Sequence, residues 1–285
     1  MSEQVNPVLL RTGGPRLGVA VPVCAVLAAV IAVAAVAGRW LAPHDPGVQD
    51  LLNASTGPSA THWLGTDDFG RDVLSRVLDG AGSSLLGPVV AALGATLLGL
   101  LLGLMAGFLG GAFEAVIMRG VDLLYALPAL LVLIVLVGMF GGGYWAAVGI
   151  LIVLSTPGST RIIRSAVLGQ RTLPYVEAAH TVGLPRHRIM IVHVAPNVLP
   201  TVVATLLLDF VAALVALSAL SFLGLGLPPG STNWGRMLAE NRTLLELNPW
   251  AAIAPALLIM IAAMSVTIIG DWLHGRLERG RLDHD

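Results

Sequence analysis

Long apolar runs alternate with short polar segments along this chain. The runs are Leu17–Gly38, Ser84–Gly107, Val121–Met139, Tyr144–Ser159, Asn197–Leu223 and Trp250–Trp272. Most of them are close to the ~20 residues that a helix needs to cross the hydrocarbon core of a bilayer. The fourth run is the weakest, because Pro157 interrupts it and Arg161 follows closely. The pattern predicts an all-α, polytopic membrane protein with six transmembrane helices.

The arginines predict which side of the membrane each polar segment faces. If the N-terminus is cytoplasmic, the cytoplasmic side receives Arg11, Arg16, Arg119, Arg161, Arg164, Arg171, Arg186, Arg188, Arg276, Arg279 and Arg281. The outer side then receives Arg39, Arg71, Arg76, Arg236 and Arg242. Positive residues near the ends of spans are retained in the cytoplasm, so this orientation is favoured and both termini are expected inside.

This topology divides the chain into a cytoplasmic tail, residues 1–16, and a single transmembrane domain, residues 17–285. Within the domain it predicts an outside loop at 41–82, a cytoplasmic loop at about 161–195, an outside loop at 226–249 and a cytoplasmic tail at 273–285. Ala35-Val36-Ala37 is similar to a signal-peptide cleavage site, but the preceding apolar stretch is about twice the typical length.

Composition narrows the function. A mean hydropathy of +0.84 with 12% charged residues is too apolar for a soluble domain of 285 residues. The formal net charge of −1 gives no sign of nucleic-acid binding. All 16 basic residues are arginine, so the chain cannot carry a phosphate-binding loop that needs a lysine. If transport by this protein uses ATP, the ATPase is on another chain.

The second half of the first outside loop has helical periodicity. Between Gly65 and Gly82, apolar residues recur on one face and charged residues on the other. Asp67 and Asp68 suit a helix N-terminus, and Asp72 and Arg76 have the spacing of an i,i+4 pair. We expect an amphipathic helix, either lying at the outer membrane surface or packed on the helix bundle.

A stripe of small residues runs along the second span. Ala91, Ala95, Gly99, Gly103, Gly107 and Gly111 recur every four residues. Helices in a bilayer associate through close backbone contact, which small residues at this spacing permit. The stripe predicts a packing seam, either within the chain or against a partner.

Residues 172–196 form a polar, arginine-rich segment between two apolar runs. Thr172 can cap a helix, and Pro174 fits its first turn. Gly183 suits the left-handed position that ends a helix. Pro185 is then expected to start a second short helix and Pro196 to end it. Two short helices at this place predict a docking surface for another protein.

The order of residues in this segment carries a family resemblance. Glu177-Ala178-Ala179, three further residues and Gly183 resemble the EAA loop of ABC-importer permeases. In that family the loop forms coupling helices that dock into ABC ATPases. The resemblance therefore implies a type I ABC importer permease fold and an ATPase-coupling site. The residues carried over to that site are Tyr175, Glu177, Ala178, Ala179, Gly183, Arg186 and Arg188.

Further stretches narrow the resemblance. The segments at 64–85, 121–136, 220–238 and 270–280 are similar to the C-subunit type of the dipeptide/oligopeptide/nickel permeases. This implies a non-catalytic permease subunit in a bacterial inner membrane. The implied partners are a homologous B-type permease, cytoplasmic ABC ATPases and an extracytoplasmic peptide-binding protein. ATP and magnesium would bind the ATPases, with no cofactor in this chain. The cargo is expected to be di- or oligopeptides, with nickel or another small solute as the alternative.

Asp209 is the residue most unusual for its position, because it lies in the middle of the fifth span. Charged residues within a span usually face a water-filled pathway or pair across a helix interface. Three hypotheses stay open: a role in the pathway, a pair with the partner subunit, and a neutral, locally bonded carboxyl. Two rival functions stay open beside the permease. In one, the chain is a self-contained secondary transporter in which Asp209 relays protons or sodium ions. The other rival is a membrane scaffold.

Histidines are scattered along the chain at positions 44, 62, 180, 187, 193, 274 and 284. None of them forms a short-spaced ligand pair with a cysteine or carboxylate. No metal site is therefore predicted from their spacing.

Overall fold

The computed structural model describes residues 17–140 and 143–282. The predicted tail at 1–16 lies outside the described residues. The helices are α1 (Leu17–Leu41), α2 (Val73–Leu109), α3 (Gly111–Tyr125), α4 (Ala129–Phe140), α5 (Gly143–Arg171), α6 (Pro174–Thr181), α7 (Arg186–Arg188), α8 (Ala195–Phe222), α9 (Trp234–Asn241) and α10 (Trp250–Leu282). Leu51–Asn53 forms one 3₁₀ turn, and Ile189–Val194 is π-helical. The described part of the chain contains no β-strand, which agrees with the predicted all-α fold.

Five uninterrupted helices in the described ranges are long and apolar enough to cross a membrane. A sixth crossing is made by α3 and α4 together, which are bent by 75° relative to each other. The sequence predicted a span at Val121–Met139, and the structure builds this crossing from two helices with a break at 126–128. Pro128 lies at the break, where it lacks a backbone N–H and disfavours helical geometry in the residue before it.

Helices α2 and α5 run parallel to each other. A side chain at Gly87 would meet Tyr144 near the start of both helices, and one at Gly107 would meet Val167 near the end of both. The chain must therefore return across the bundle between them, and α3–α4 make that return. We call the end of the bundle where α5 finishes the hairpin end. The opposite end, where α2 starts, is the loop end.

The remaining long helices complete the crossings. The last turns of α1 lie at the loop end, where the backbone of Gly38 approaches that of Leu78. Helix α10 also begins there, since the side-chain amide of Asn248 donates to the carbonyl of Leu64 over 2.9 Å. The described N-terminal and C-terminal ends of the chain both lie at the hairpin end as a result. An even number of crossings accounts for this arrangement.

The small-residue stripe of α2 faces α5 in the same chain. A Cβ atom at Gly99 would lie 2.6 Å from the Cβ of Ser159, and one at Gly103 would lie 3.0 Å from the Cβ of Ile163. Gly107 makes the same kind of approach to Val167. Gly111 is not part of this seam: it is the first residue of α3, and a Cβ there would meet nothing within 4 Å.

The predicted amphipathic helix at Gly65–Gly82 is wrong in its bounds. The loop continues to Asp72, and α2 begins at Val73 as one continuous 37-residue helix of about 55 Å. The helix is capped by Asp72, which accepts a hydrogen bond from the backbone N–H of Ser75 over 2.8 Å. The cap uses the Oδ2 atom of Asp72. Arg76 instead faces Asp67, so the expected Asp72–Arg76 pair does not form.

The buried apolar side chains include three clusters. The first, at the loop end, includes Val73, Leu214 and Trp234. The second includes Leu133 and Leu217, and the third lies at the hairpin end. Helix α1 contributes little to them and exposes a row of valines. Such a surface fits lipid or a second membrane protein.

We expect Gly103→Leu to destabilise the protein. Ile163 and the backbone of Arg164 lie within 3.1 Å of the new Cβ, so the two helices must separate. Overpacking of this kind costs about 1–3 kcal/mol. The measurement is the thermal unfolding midpoint of the purified protein in detergent. The matched control is Gly149→Leu on α5, where nothing lies within 4 Å of an added Cβ. A Gly103→Leu protein with the wild-type midpoint would contradict the seam.

Candidate functional site

The segment between α5 and α8 forms a tight helical hairpin, consisting of α6, the turn at 182–185, and α7. Pro174 occupies the first turn of α6, as predicted. Thr172 is not the cap: Leu173 precedes the helix in extended conformation, and the Thr172 hydroxyl donates to the carbonyl of Gly169. The hairpin therefore starts without a side-chain cap, directly after the last turn of α5.

Gly183 sets the turn of the hairpin, with a φ of +82°. Its N–H donates to the carbonyl of His180 over 3.0 Å, and the N–H of Leu184 donates to the carbonyl of Ala179 over 3.2 Å. This pair of bonds is the Schellman ending of a helix, which needs a residue that tolerates positive φ. The predicted role of Gly183 follows from its lack of a side chain.

The second helix of the hairpin does not end at Pro196. Helix α7 continues through the π-helical stretch Ile189–Val194 into α8, and the whole run from Arg186 to Phe222 is long enough to be one span. Pro196 directly follows the π-helical stretch, so the helix is already irregular where the proline N–H is missing. The expectation of a helix break at Pro196 is wrong. The docking segment is thus the beginning of a membrane-crossing helix.

The hairpin has one buried and one exposed face. Val176, Ala179 and Ile189 are buried in the cluster at the hairpin end, together with Phe108 and Ile163. Most of the predicted coupling residues are exposed, namely Glu177, Ala178, Gly183, Arg186 and Arg188. Tyr175 is half-buried, and its hydroxyl donates to the side-chain oxygen of Gln170 over 2.9 Å. Of the predicted set, Ala179 belongs to the packing face.

Val182 is a surface residue that sequence analysis missed. Its side chain is 80% exposed at the tip of the hairpin, beside Gly183. An apolar side chain so exposed next to a sharp turn is suited to insertion into an apolar pocket of a partner. The only available sequence signal was its place between α6 and the glycine.

Ion pairs fasten the hairpin end of α5 to α3. Arg164 donates to Glu114, with its Nε 2.9 Å from Oε1, and Arg161 lies 2.6 Å from Asp122. Arg171 reaches the carbonyl of Gly107 at the end of α2 over 3.1 Å. These contacts tie the last turns of α5, which lead into the hairpin, to α2 and α3.

Asp209 lies where α2, α5 and α8 meet. Its Oδ2 accepts hydrogen bonds from the hydroxyls of Thr96, over 2.9 Å, and Ser159, over 2.6 Å. These bonds come from two different helices, so the carboxyl group links three helices next to the glycine seam. Of the three hypotheses, the contacts support a locally bonded carboxyl. Roles in a pathway or at a subunit interface stay predictions.

At the loop end, five charged side chains form a second polar feature, which we call the arginine cluster: Asp67, Arg71, Arg76, Arg236 and Glu240. Arg71 Nε lies 2.7 Å from Asp67 Oδ2, and Arg71 Nη2 lies 3.4 Å from Glu240 Oε2. Arg76 is almost fully buried between the same two carboxylates. The sequence predicted Arg71 and Arg76 on the polar face of an amphipathic helix, and this is wrong, because both side chains are buried.

The arginine cluster fixes α9 to the start of α2. Glu240 belongs to α9 and accepts from Arg236 and from the backbone N–H of Gly230. Burial raises the pKa of Glu240, but these donors and the arginines outweigh it, so the pKa lies below its usual value. The stabilisation from the ionised carboxylate is complete above the unfolded-state pKa. It is lost as the pH falls through the folded-state pKa.

Two of the scattered histidines lie close together at the loop end. The ring centroids of His44 and His62 are 4.9 Å apart, and both rings approach Asp72. Sequence spacing gave no indication of this group, because its members are brought together only when the loop folds over the start of α2. His180 and His187 are exposed on the hairpin, at the other end of the bundle.

Comparisons with known proteins agree with this architecture. Residues 99–282 match the family described as binding-protein-dependent transport system inner membrane component. The chain is similar in fold to a chain of the MetNI methionine ABC transporter, solved in inward-facing conformations. That likeness has a TM-score of 0.57 at 18% identity and covers 70% of this chain and 95% of the other.

Curated relatives cover most of the chain. It is 37% identical over 247 residues to the dipeptide transport system permease protein DppC of Bacillus subtilis, covering 86% of this chain and 77% of that protein. It is 34% identical over 239 residues to the probable D,D-dipeptide transport system permease protein DdpC of Escherichia coli, with 84% and 80% covered. The glutathione transport system permease protein GsiD of Escherichia coli is 34% identical over 250 residues, with 87% and 82% covered.

We expect Glu240→Gln to destabilise the loop end. After the substitution, the buried guanidinium groups of Arg71 and Arg76 share one remaining carboxylate, that of Asp67. Breaking a buried ion pair costs about 3 kcal/mol. The thermal unfolding midpoint of the purified protein should fall. The control is Glu246→Gln, because Glu246 is exposed at the same end. Equal midpoints for the two variants would show that the arginine cluster contributes nothing measurable.

We expect Asp209→Asn to preserve stability and Asp209→Leu to reduce it. Asparagine keeps an oxygen that accepts from Thr96 and Ser159, whereas leucine leaves both hydroxyls without this acceptor. Interhelical hydrogen bonds in membranes contribute about 0.6 kcal/mol each on average. Unfolding midpoints and transport rates should be measured together, with Leu208→Ala as the control at a neighbouring exposed position. An Asp209→Asn protein that is stable but inactive would instead assign the charge to the pathway.

Proposed function

Because this chain belongs to the family of inner-membrane components of binding-protein-dependent transport systems, we propose that it forms half of the membrane pathway of a peptide importer. It is a permease subunit of an ABC importer and is not itself an enzyme. The relatives named for dipeptide, D,D-dipeptide and glutathione transport support peptides as the cargo. The single observation that carries the mechanism is the exposed hairpin that continues directly into a membrane-crossing helix.

The proposed complex contains four kinds of protein. A homologous B-type permease would supply the other half of the pathway, and ABC ATPases, which bind ATP and magnesium, would dock at the hairpin. An extracytoplasmic peptide-binding protein would deliver the cargo at the loop end. The arginine distribution supports a cytoplasmic hairpin end, which places both chain termini in the cytoplasm. The location is then a bacterial inner membrane.

The exposed face of the hairpin has the properties of a docking surface. Ala178 and Gly183 allow close approach of a partner, and Val182 offers an apolar contact between them. Glu177, Arg186 and Arg188 surround these positions with charge. An apolar centre with a charged rim is the usual composition of a protein–protein interface. The buried face meanwhile holds the hairpin rigidly on α2 and α5.

Coupling would pass through two connections. The first is the continuous helix from Arg186 to Phe222, which reaches from the hairpin end to the loop end. The second is the group of ion pairs between α5 and α3, formed by Arg161 and Arg164. ATP-driven movement of the ATPases would displace the hairpin and tilt these helices together. Such a displacement requires that the hairpin bind the ATPases differently in the two states.

We expect Glu177→Arg and Val182→Asp to weaken docking of the ATPases on the hairpin. Both side chains are exposed, so the permease should keep its unfolding midpoint. Loss of an interfacial contact worth about 1.4 kcal/mol weakens docking about tenfold. In proteoliposomes containing the complete transporter, peptide uptake and receptor-stimulated ATP hydrolysis should both fall.

The matched control is Glu246→Arg, the same charge reversal at the loop end, where no ATPase is proposed to dock. It should leave receptor-stimulated hydrolysis unchanged, provided that the peptide-binding protein still binds. If both hairpin variants retain wild-type uptake and hydrolysis, the hairpin does not couple the ATPases to the pathway.

A further inference from the structure

The loop end contains a cluster of potential metal ligands that the transport function does not use. The Nδ1 atom of His62 lies 2.9 Å from Oδ1 of Asp72, and the Nδ1 atom of His44 lies 3.7 Å from Oδ2. One ligand atom from each of the three residues can be chosen so that all lie within 4.8 Å of one another. We propose that His44, His62 and Asp72 bind one divalent transition-metal ion, for which Zn²⁺ is the best match.

The distances suit a tetrahedral ion. Ligand atoms about 2.0–2.1 Å from a tetrahedral zinc ion are separated by about 3.3 Å from one another. The two nitrogen–oxygen separations, 2.9 Å from His62 to Oδ1 and 3.7 Å from His44 to Oδ2 of the same carboxylate, lie on either side of that value. Small side-chain rotations would therefore bring the three ligands to a common centre. Two imidazoles and one carboxylate are a donor set that zinc commonly takes.

The carboxylate is already oriented by a second residue. Ser75 donates to Asp72 Oδ2 from its backbone N–H over 2.8 Å and from its hydroxyl over 2.6 Å. The same hydroxyl accepts the backbone N–H of His44 over 3.0 Å. Ser75 thus positions two of the three ligands at once. Such outer contacts orient ligands and strengthen metal binding.

Charge at the site also favours a cation. The Asp72 side chain is only 3% exposed, and in the described part of the chain its ion-pair partners are His44 and His62. A buried carboxylate without an arginine or lysine partner is stabilised by a bound cation.

The site is accessible from solvent. The side chain of His44 is 44% exposed and that of His62 is 22% exposed. A metal ion can therefore reach the ligands, and water can complete its coordination. His62 is held in place by its backbone, which accepts from Ser59 and Gly65. The site thus combines a rigid buried ligand with two accessible ones.

A metal ion at this place would fasten the loop to the bundle. His44 follows α1, His62 lies within the loop, and Asp72 caps α2. One ion would therefore link three points along residues 44–72. We infer that its role is structural: it restrains the surface at which the proposed peptide-binding protein docks. The binding of the ion itself does not depend on that proposed function.

The experiment uses the full chain, purified in detergent and treated with a chelator. Zn²⁺ binding is measured by competition with a chromophoric chelator, and Co²⁺ is used as a spectroscopic probe of coordination geometry. We expect one equivalent of Zn²⁺, a tetrahedral Co²⁺ spectrum, and an unfolding midpoint that rises with Zn²⁺ concentration. His44→Gln should lose binding, with little risk to folding because its side chain is half-exposed. Ser75→Ala should weaken binding about 10–100-fold by releasing the ligands.

Two further variants separate the possible outcomes. Asp72→Asn keeps a side-chain cap for α2 and should fold, but it should bind Zn²⁺ more weakly. His187→Gln, on the exposed hairpin, should bind Zn²⁺ like the wild type. The proposal is overturned if the wild type binds no Zn²⁺, or if His44→Gln and Asp72→Asn bind it normally. It is also overturned if His187→Gln abolishes binding, which would place the ion on the hairpin.

Discussion

Backbone contact between α2 and α5 determines where every other part of this chain can lie. The two helices run parallel and approach through Gly99, Gly103 and Gly107, whose missing side chains bring α2 against Ser159, Ile163 and Val167. Because the pair is parallel, the chain has to cross the bundle between them. This requirement explains why α3 and α4 act as one crossing despite their 75° bend.

The same contact joins the two functional ends of the protein. At its hairpin end it places Arg171 against the carbonyl of Gly107 and supports the cluster in which Val176 and Ile189 are buried. At its loop end, the start of α2 carries Asp72 and Arg76, which organise the folded loop and α9. Asp209 is bonded to both helices in the middle. Helix α2, about 55 Å long, thus connects features that are far apart in sequence.

Local signals explain what the sequence could predict. The ends of α6 follow from Pro174 and Gly183, whose backbone requirements do not depend on the rest of the fold. The membrane-crossing helices could be predicted from the lengths of the apolar runs. The small-residue stripe predicted that α2 packs closely on another helix. The pattern could not say which helix, because the choice between α5 and a second protein depends on how the chain folds between α2 and α5.

Polar groups that bond across distant segments were harder to predict. Helical periodicity placed Arg71 and Arg76 on a solvated face, since charges are usually exposed. In the structure, the carboxylate of Glu240, which lies far along the chain, compensates the charges of Arg71 and Arg76. Both arginines can therefore be buried. The group of His44, His62 and Asp72 was missed because its members come together only when the loop folds. At Pro196, the expected break failed because the π-helical stretch Ile189–Val194 carries the helix into α8 directly before the proline.

The continuous helix from Arg186 to Phe222 also restricts how the chain can vary in length. Each residue added to an α-helix turns everything beyond it by about 100°. One extra residue between Arg188 and Asp209 would rotate the exposed arginines away from their present direction relative to the glycine seam. The π-helical stretch Ile189–Val194, with its i→i+5 bonds, is the segment of this helix that already departs from α-helical phase. Insertions and deletions are therefore better tolerated in the irregular loop at 54–64, where no rotational phase has to be kept.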